Sequence, residues 1–186
     1  MIAILVASGC GGHAARTTTS PSAIPLTLGH GPGFRPAAIG PARPQTARLP
    51  CGPRAARRYG VHIELFARGH VVQVPAGIGV APPVTRRGAY VTRGRCWYPL
   101  HTTEPTGLVN VAAGTTATLG TLFDVWRQPL STRRLAGFRG RVRAYLDGRR
   151  RAGDPRTIPL RRHAQIVLEV GPLVPPHPTY RFPPSL

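Results

Sequence analysis

Apolar and polar residues alternate along several short stretches of the chain. In residues 61–67, VHIELFA, every second side chain from Val61 onward is apolar, and an Arg68-Gly69 step leads into residues 70–74. Residues 163–170, HAQIVLEV, repeat the alternation with Ala164, Ile166, Leu168 and Val170 on one face. Because successive side chains of a strand point to opposite faces, the first stretch predicts a β-hairpin and the second a strand with one apolar face.

Further strands are predicted between these stretches. Residues 96–100 and 108–112 are apolar runs joined by a polar turn at residues 101–107, so the two runs are expected to pair. A short strand is predicted at residues 89–92, within a segment rich in Gly, Pro and Arg. Residues 142–146 begin a second hairpin, because the Asp-Gly step after them suits a turn with positive φ at both central residues.

One helix is predicted, and its signals are the clearest in the chain. Thr118 is placed to cap its start, and Pro129 prevents much continuation beyond residue 126. One face carries apolar residues at the spacing i, i+3, i+4 and i+7, namely Leu119, Leu122, Phe123 and Trp126. We expect Phe123 and Trp126 to be core residues.

These elements predict the α+β class, with a mainly antiparallel sheet of about seven strands and one short helix. A β-grasp-like arrangement is one form that such a fold would take.

Residues 11–50 are rich in Pro and Gly and have no sustained period, which predicts a disordered tether. Residues 51–186 are predicted to form a single folded domain. The proline-rich tail from residue 171 is expected to cross the surface as an extended strap held by Tyr180 and Phe182.

The N-terminus suggests where the protein works. Residues 1–10 are an apolar run followed by Ala7-Ser8-Gly9-Cys10, which resembles the lipobox of bacterial lipoproteins, where a lipid is attached to the cysteine. This resemblance implies a membrane anchor at Cys10, with the membrane surface as partner. The alternative is an ordinary apolar N-terminus with an incidental cysteine. No other stretch approaches the ~20 apolar residues that a spanning helix needs.

If Cys10 carries a lipid, Cys51 and Cys96 remain as an even pair. An exported domain keeps disulfides, so we predict a Cys51–Cys96 bridge that ties the start of the domain to its central strand. The alternative is two free thiols in a reducing cytosol. The chain has no CxxC motif, which disfavours redox catalysis.

The charge of the chain is strongly positive but does not by itself identify a partner. The net charge is +19, and all of its 25 basic residues are arginine. These arginines occur in pairs and triplets spread across the domain rather than along one helix, which disfavours nucleic acid. A solvated basic surface that touches anionic lipid or cell-wall polymer is the preferred interpretation, and a polyanion binder is a third functional hypothesis.

From about residue 50 onward, six motifs occur in order: VPAGIG, CWYPLHT, TLGTLFDVW, QPLS, GDPRTIPL and HAQIVLEVG. They resemble a family of bacterial exported or membrane-anchored proteins of unassigned function. The resemblance implies a shared fold and an extracytoplasmic location, lipid-anchored or secreted. It implies little about activity.

Members of that family carry more histidines than this chain, in an HxHxH run, an LHTH segment and a further histidine on the next strand. Imidazoles spaced two apart point to one strand face and suit a transition metal. This chain keeps His62, His101 and His163, whereas Arg58, Gly60, Thr103 and Asn110 stand at the other positions. The candidate ligands for copper or zinc are therefore His62, Glu64, His101, Glu104 and His163.

Enzyme functions find little support. The folded part has no GxSxG nucleophile, no P-loop and no dinucleotide-binding motif, and the whole chain has only six carboxylates. We therefore predict no catalytic residue and no cofactor. The leading hypothesis is a non-enzymatic binding or structural module of the cell envelope, with an unknown envelope partner and with the region around His101 as contact surface. The alternative is a copper- or zinc-binding envelope protein that uses His62, His101 and His163.

Overall fold

The structure is a computed structural model that describes residues 27–40 and 49–186. Within these residues the chain forms one α-helix and twelve strands. In chain order the elements are β1 (Arg58–Ala67), β2 (His70–Val72), β3 (Val84–Arg87), β4 (Tyr90–Gly94), β5 (Leu100–Thr102), β6 (Leu108–Ala112), α1 (Leu119–Trp126), β7 (Leu130–Ser131), β8 (Arg134–Leu135), β9 (Phe138–Arg139), β10 (Val142–Leu146), β11 (Arg149–Arg151) and β12 (Gln165–Val170). The predicted α+β class with one short helix is confirmed.

Seven strands form the main sheet, in the order β11-β10-β12-β1-β6-β5, with β2 paired to the second half of β1. The sheet is mixed, because β1 and β12 run parallel while the other neighbouring pairs are antiparallel. The two long central strands β1 and β12 therefore lie at the middle of the molecule.

Helix α1 packs on one face of this sheet. The Thr118 side chain accepts a hydrogen bond from the Thr121 amide, and Thr121 reciprocates in a capping box that begins the helix. The helix ends at Arg127, which adopts the left-handed conformation. The apolar face of the helix and the alternate residues of β1 and β12 form one buried cluster, which includes Val61, Ile63, Leu65, Leu122, Phe123, Trp126, Ile166 and Leu168.

The opposite face of the sheet is covered by residues 172–186, which we call the C-terminal strap. Val174 of the strap packs with Phe66, Tyr145 and Val167 in a second buried cluster. As a result all six residues of β12 are buried, including the polar Gln165 and Glu169. The strap was predicted, and Tyr180 and Phe182 do hold it by stacking on His62 and His163.

Two smaller sheets lie beside the main one. Strands β3 and β4 form a hairpin, and β7, β8 and β9 form a three-stranded sheet of two-residue strands. The sequence pattern predicted only part of β4 and none of the other four strands. These strands are too short, or too polar, for alternation to reveal them.

The predicted strand at residues 96–100 was misplaced. The structure has β5 at Leu100–Thr102, so His101 lies in a strand rather than in the following turn. The preceding residues hydrogen-bond elsewhere, since the Trp97 amide donates to Gly52 and the Cys96 carbonyl accepts from Ala81. By contrast the β10–β11 hairpin is confirmed, with positive φ at both residues of its Asp-Gly turn.

Residues 27–40 do not behave as the predicted tether. Phe34 is only 6% exposed and packs against Phe138 with ring centroids 4.7 Å apart. The Gly40 amide donates to the Trp126 carbonyl at 3.0 Å, and the Trp126 indole donates to the Ala37 carbonyl at 2.8 Å. The high Gly and Pro content of this segment led to the prediction of a tether, but one buried aromatic side chain and several backbone hydrogen bonds attach it to the domain. The folded domain therefore begins before residue 50.

The predicted Cys51–Cys96 disulfide is present, across a sequence separation of 45 residues. Cys10 lies outside the described residues. Among residues 27–40 and 49–186, no helix is long and apolar enough to cross a membrane.

Truncation of Phe34 tests the docking of residues 27–40. We expect Phe34→Ala to lower the free energy of unfolding by about 3 kcal/mol, because it removes a buried aromatic ring. Ile39→Ala is the matched control, since Ile39 is 44% exposed and its loss should change stability by less than about 0.5 kcal/mol. Urea unfolding of the three proteins measures both values, and equal stability of the wild type and Phe34→Ala would contradict the docking.

Candidate functional site

The predicted ligand histidines lie on the strap face of the sheet. His62 follows Val61 on β1, and Val61 points into the core, so His62 points the other way. The register pairs His101 with Asn110 and Asn110 with Gly60, which places His101 on the same face. The His163 amide donates to the Gly60 carbonyl at 2.8 Å. His62 lies on β1, His101 lies on β5, which β6 separates from β1, and His163 lies in the turn before β12. The three histidines therefore do not belong to three neighbouring strands.

Both ring nitrogens of His62 are occupied. Its Nδ1 lies 2.7 Å from Oε1 of Gln165, and its Nε2 lies 2.8 Å from the Thr106 carbonyl. The ring stacks on Tyr180 with centroids 3.7 Å apart and planes inclined by 9°. With both nitrogens hydrogen-bonded and one ring face covered, His62 serves to hold the strap.

Two further histidines also hold the strap. His163 stacks on Phe182 at 4.6 Å, and its Nε2 lies 2.7 Å from the carbonyl of Leu186. His177, which belongs to the strap, places Nδ1 2.8 Å from Oε2 of Glu64. Three imidazoles therefore mediate the contacts of the strap with β1 and with the turn before β12.

His101 has a different environment. It is 1% exposed, and its Nδ1 lies 3.1 Å from the Tyr98 carbonyl. Its ring meets the Trp97 ring in an edge-to-face arrangement, with the two centroids 4.9 Å apart. Its Nε2 is buried and has no partner among the described residues. Burial lowers the pKa of His101 to about 4, and the positive charges of Arg54 and Arg58 reinforce this effect.

The contact surface predicted around His101 therefore does not include the His101 side chain. Trp97 covers its ring, and the Arg54 guanidinium lies 5.1 Å above the Trp97 ring. The segment that follows Cys51 and contains Arg54 was predicted as the start of the domain, and in the structure it also packs over Trp97. Because the His101 imidazole is buried, it cannot contact a binding partner directly.

Glu104 lies apart from His101. Its carboxylate accepts a hydrogen bond from the Thr106 hydroxyl at 3.1 Å. Burial, and then the nearby Glu104 carboxylate, raise the pKa of Tyr180, which places Glu104 beside the strap. On the same face as His62, Arg58 donates through Nε to Oδ1 of Asn110 at 3.0 Å.

The structure does not assemble the predicted metal ligands into one set. Within the described ranges, no three His, Cys, Asp or Glu side chains are arranged to hold a metal ion. His62 and Glu104 both contact Thr106, whereas His101 and His163 have other protein neighbours. The Arg58 guanidinium adds a positive charge to the face that carries His62, which opposes cation binding.

An arginine-rich groove is the most distinctive surface feature, and the sequence pattern did not reveal it. The groove has a volume of about 630 Å³ and lies between the three-stranded β7-β8-β9 sheet and the β10–β11 hairpin. The Val142 amide donates to the Thr132 carbonyl at 2.8 Å and joins the two walls. The lining includes five arginines: Arg133, Arg141, Arg143, Arg150 and Arg151. We call this the arginine groove.

Most of the charge in the arginine groove is not neutralised. All six carboxylate side chains of the protein lie in the described residues, and two of them pair with an arginine of the same residues. These pairs are Glu169 with Arg143 at 2.9 Å and Asp124 with Arg156 at 2.7 Å. Within the described residues, the other four groove arginines form no ion pair and no side-chain hydrogen bond.

The comparisons with known proteins add no assignment. No family model, no curated protein and no solved structure matches the chain. The functional proposal therefore rests on the geometry and charge of the sites in this structure.

The low pKa of His101 predicts a pH dependence of stability. Folding holds its pKa at about 4, against 6.5 when unfolded, so between these values the unfolded chain binds the additional proton. The contribution of this group is complete above pH 6.5 and falls by about 3 kcal/mol as the pH drops to 4. NMR titration of the His101 ring should give a midpoint near pH 4. A midpoint at or above 6.5 would contradict the burial described here.

Proposed function

We propose that this protein is an exported binding module of the cell envelope and that its arginine groove binds anionic polymers. The observation that carries the proposal is the placement along one groove of four arginines, from two separate parts of the chain, that form no ion pair among the described residues. Guanidinium groups recognise phosphate, sulfate and carboxylate oxygens through charge-assisted hydrogen bonds. A polymer with repeated negative charges matches this surface.

Electrostatics supports a polymer rather than a small ion. Like charges held together repel one another, and an anionic chain relieves that repulsion at several points simultaneously. Binding of such a chain also releases its counterions to the solvent, which adds affinity at low salt. The net charge of +19 extends the same attraction over the whole surface.

The chemistry of the groove favours polymer backbones over nucleobases. Its lining consists of Arg, Thr, Val, Ala and Gly residues and includes no aromatic ring. Proteins that hold single-stranded nucleic acid stack bases on aromatic side chains, which this groove does not offer. Anionic lipid head groups or cell-wall polymers suit it better.

The proposal assigns binding rather than catalysis to the groove. Arginine remains protonated at all physiological pH values, and the other lining residues provide no general base or activated nucleophile. The surplus positive charge equally disfavours a metal ion there.

Two features support the extracytoplasmic location. The Cys51–Cys96 disulfide is compatible with an oxidising compartment outside the cytosol. The resemblance of residues 1–10 to a lipobox adds a lipid anchor at Cys10, with the membrane surface as a partner. Such an anchor would keep the arginine groove close to the anionic components of the envelope.

Removal of two groove charges tests the binding site. We expect Arg150→Gln/Arg151→Gln to weaken binding of the full chain to inorganic polyphosphate, because both side chains line the groove. The slope of log affinity against log salt concentration should fall by about 1 to 2, one counterion-release contribution for each lost contact. Calorimetric titration at several salt concentrations measures affinity and slope together.

The matched control is Arg93→Gln/Arg161→Gln. Both residues are exposed, lie outside the groove lining and account for the same loss of charge. This variant should retain the wild-type slope. If both double variants lose affinity equally, overall charge rather than the arginine groove accounts for binding, and the proposed site is wrong.

Replacement of Cys10 tests the anchor. When the full-length chain is expressed in a bacterium that processes lipoproteins, the wild type should fractionate with membranes and carry a lipid mass at its new N-terminal cysteine. Cys10→Ala should remain soluble with its N-terminal peptide uncleaved. A wild-type protein whose intact mass shows an unmodified Cys10 and a complete N-terminal peptide would refute the anchor.

A further inference from the structure

One arginine of the groove differs from the other four in being held by the protein. The Nε of Arg143 donates to Oε1 of Glu169 at 2.9 Å, and its Nη2 donates to the Gly171 carbonyl. Its Nη1 has no hydrogen-bond partner among the described residues, and Arg143 lines the groove. The guanidinium is therefore fixed on one side and available on the other.

The residue that fixes Arg143 is itself rigidly held. Glu169 is 0% exposed and lies on the central strand β12. Its Oε1 also accepts from the Tyr145 hydroxyl at 2.8 Å, and its Oε2 accepts from the Val174 amide at 2.7 Å. The carboxylate is thus held by β10, β12 and the C-terminal strap together. Because three donors satisfy its charge, it has one well-defined position.

We infer that Arg143 binds one tetrahedral oxyanion, a phosphate or sulfate group, at a defined point of the groove, and that Glu169 is the positioning residue that orients it. This inference rests on the proposed function, since it names the group that the anionic polymer must present. The other four arginines supply attraction without fixed geometry.

The physical basis is the entropy of the arginine side chain. A free arginine loses rotamer freedom when it binds, and this loss opposes binding. Glu169 and Gly171 have already ordered Arg143 before any ligand arrives. An oxyanion at Arg143 therefore gains a charge-assisted hydrogen bond with little further ordering.

Charge and positioning predict opposite effects for Glu169. The Glu169 carboxylate reduces the positive potential near Arg143, so removal of its charge would strengthen anion binding if charge alone mattered. If Glu169 orients Arg143, the same removal releases the guanidinium and weakens binding. The sign of the effect therefore separates the two explanations.

The first experiment changes Arg143 without a change in charge. For the full chain titrated with inorganic polyphosphate and, separately, with heparin, we expect Arg143→Lys to bind about tenfold more weakly to at least one polymer, because lysine loses the fixed fork of the guanidinium. The salt slope should be unchanged. Arg141→Lys is the matched control, since Arg141 lines the same groove without an ion pair among the described residues, and it should bind like the wild type.

The second experiment measures Glu169→Gln in the same titrations, after circular dichroism and urea unfolding have shown that it is folded. Weaker binding than the wild type supports the positioning role, whereas tighter binding overturns it. If Glu169→Gln does not fold, the comparison of Arg143→Lys with Arg141→Lys decides the question. Equal affinities of those two variants for both polymers would also overturn the inference.

These outcomes are distinct from failure of the proposed function. If the wild type binds neither polymer, or if its binding is unaffected by Arg150→Gln/Arg151→Gln, the arginine groove is not a polyanion site. If that double variant weakens binding while Arg143→Lys and Arg141→Lys behave alike, the groove binds anions but Arg143 is not its anchor.

Discussion

The burial of the central strand pair on both faces is the constraint on which the rest of the structure depends. Strands β1 and β12 pack against helix α1 on one side and lie under the C-terminal strap on the other. On the strap side His62 and Glu169 are buried, so their polar atoms need partners within the protein. The hydrogen bonds of His62 and Glu169 follow from this requirement.

Three histidines attach the strap to the sheet by stacking and hydrogen bonding. His62 and His163 each have one ring face against a strap aromatic, Tyr180 and Phe182. His177 pairs with Glu64 from the strap side. Imidazoles that resemble metal ligands in the sequence thus stabilise the attachment of the strap. His101 is buried instead beside Trp97.

The scarcity of carboxylates explains why the arginine groove remains positive. With six acidic side chains against 25 arginines, few arginines have a partner. Glu64 and Glu169 are used under the strap, and Asp124 pairs with Arg156 beside the helix. The β10–β11 hairpin and the β7-β8-β9 sheet then bring together the arginines of the groove, four of which form no ion pair among the described residues. An external anion is the available source of compensating charge there.

Sequence alone determined the elements that depend on neighbouring residues. The cap at Thr118 and the apolar spacing specified helix α1, and the Asp-Gly step specified the β10–β11 hairpin, because capping and turn geometry act over three or four residues. Cysteine count identified the disulfide.

Tertiary structure alone determined the contacts between distant segments: the docking of Phe34, the burial of His101 and the arginine groove. Arg133 and Arg150 are 17 positions apart in the sequence, and only the packing of the β7-β8-β9 sheet against the β10–β11 hairpin places both at one groove. Local propensity contains no information about which surfaces will meet, whereas the burial of apolar faces across the whole chain does decide it.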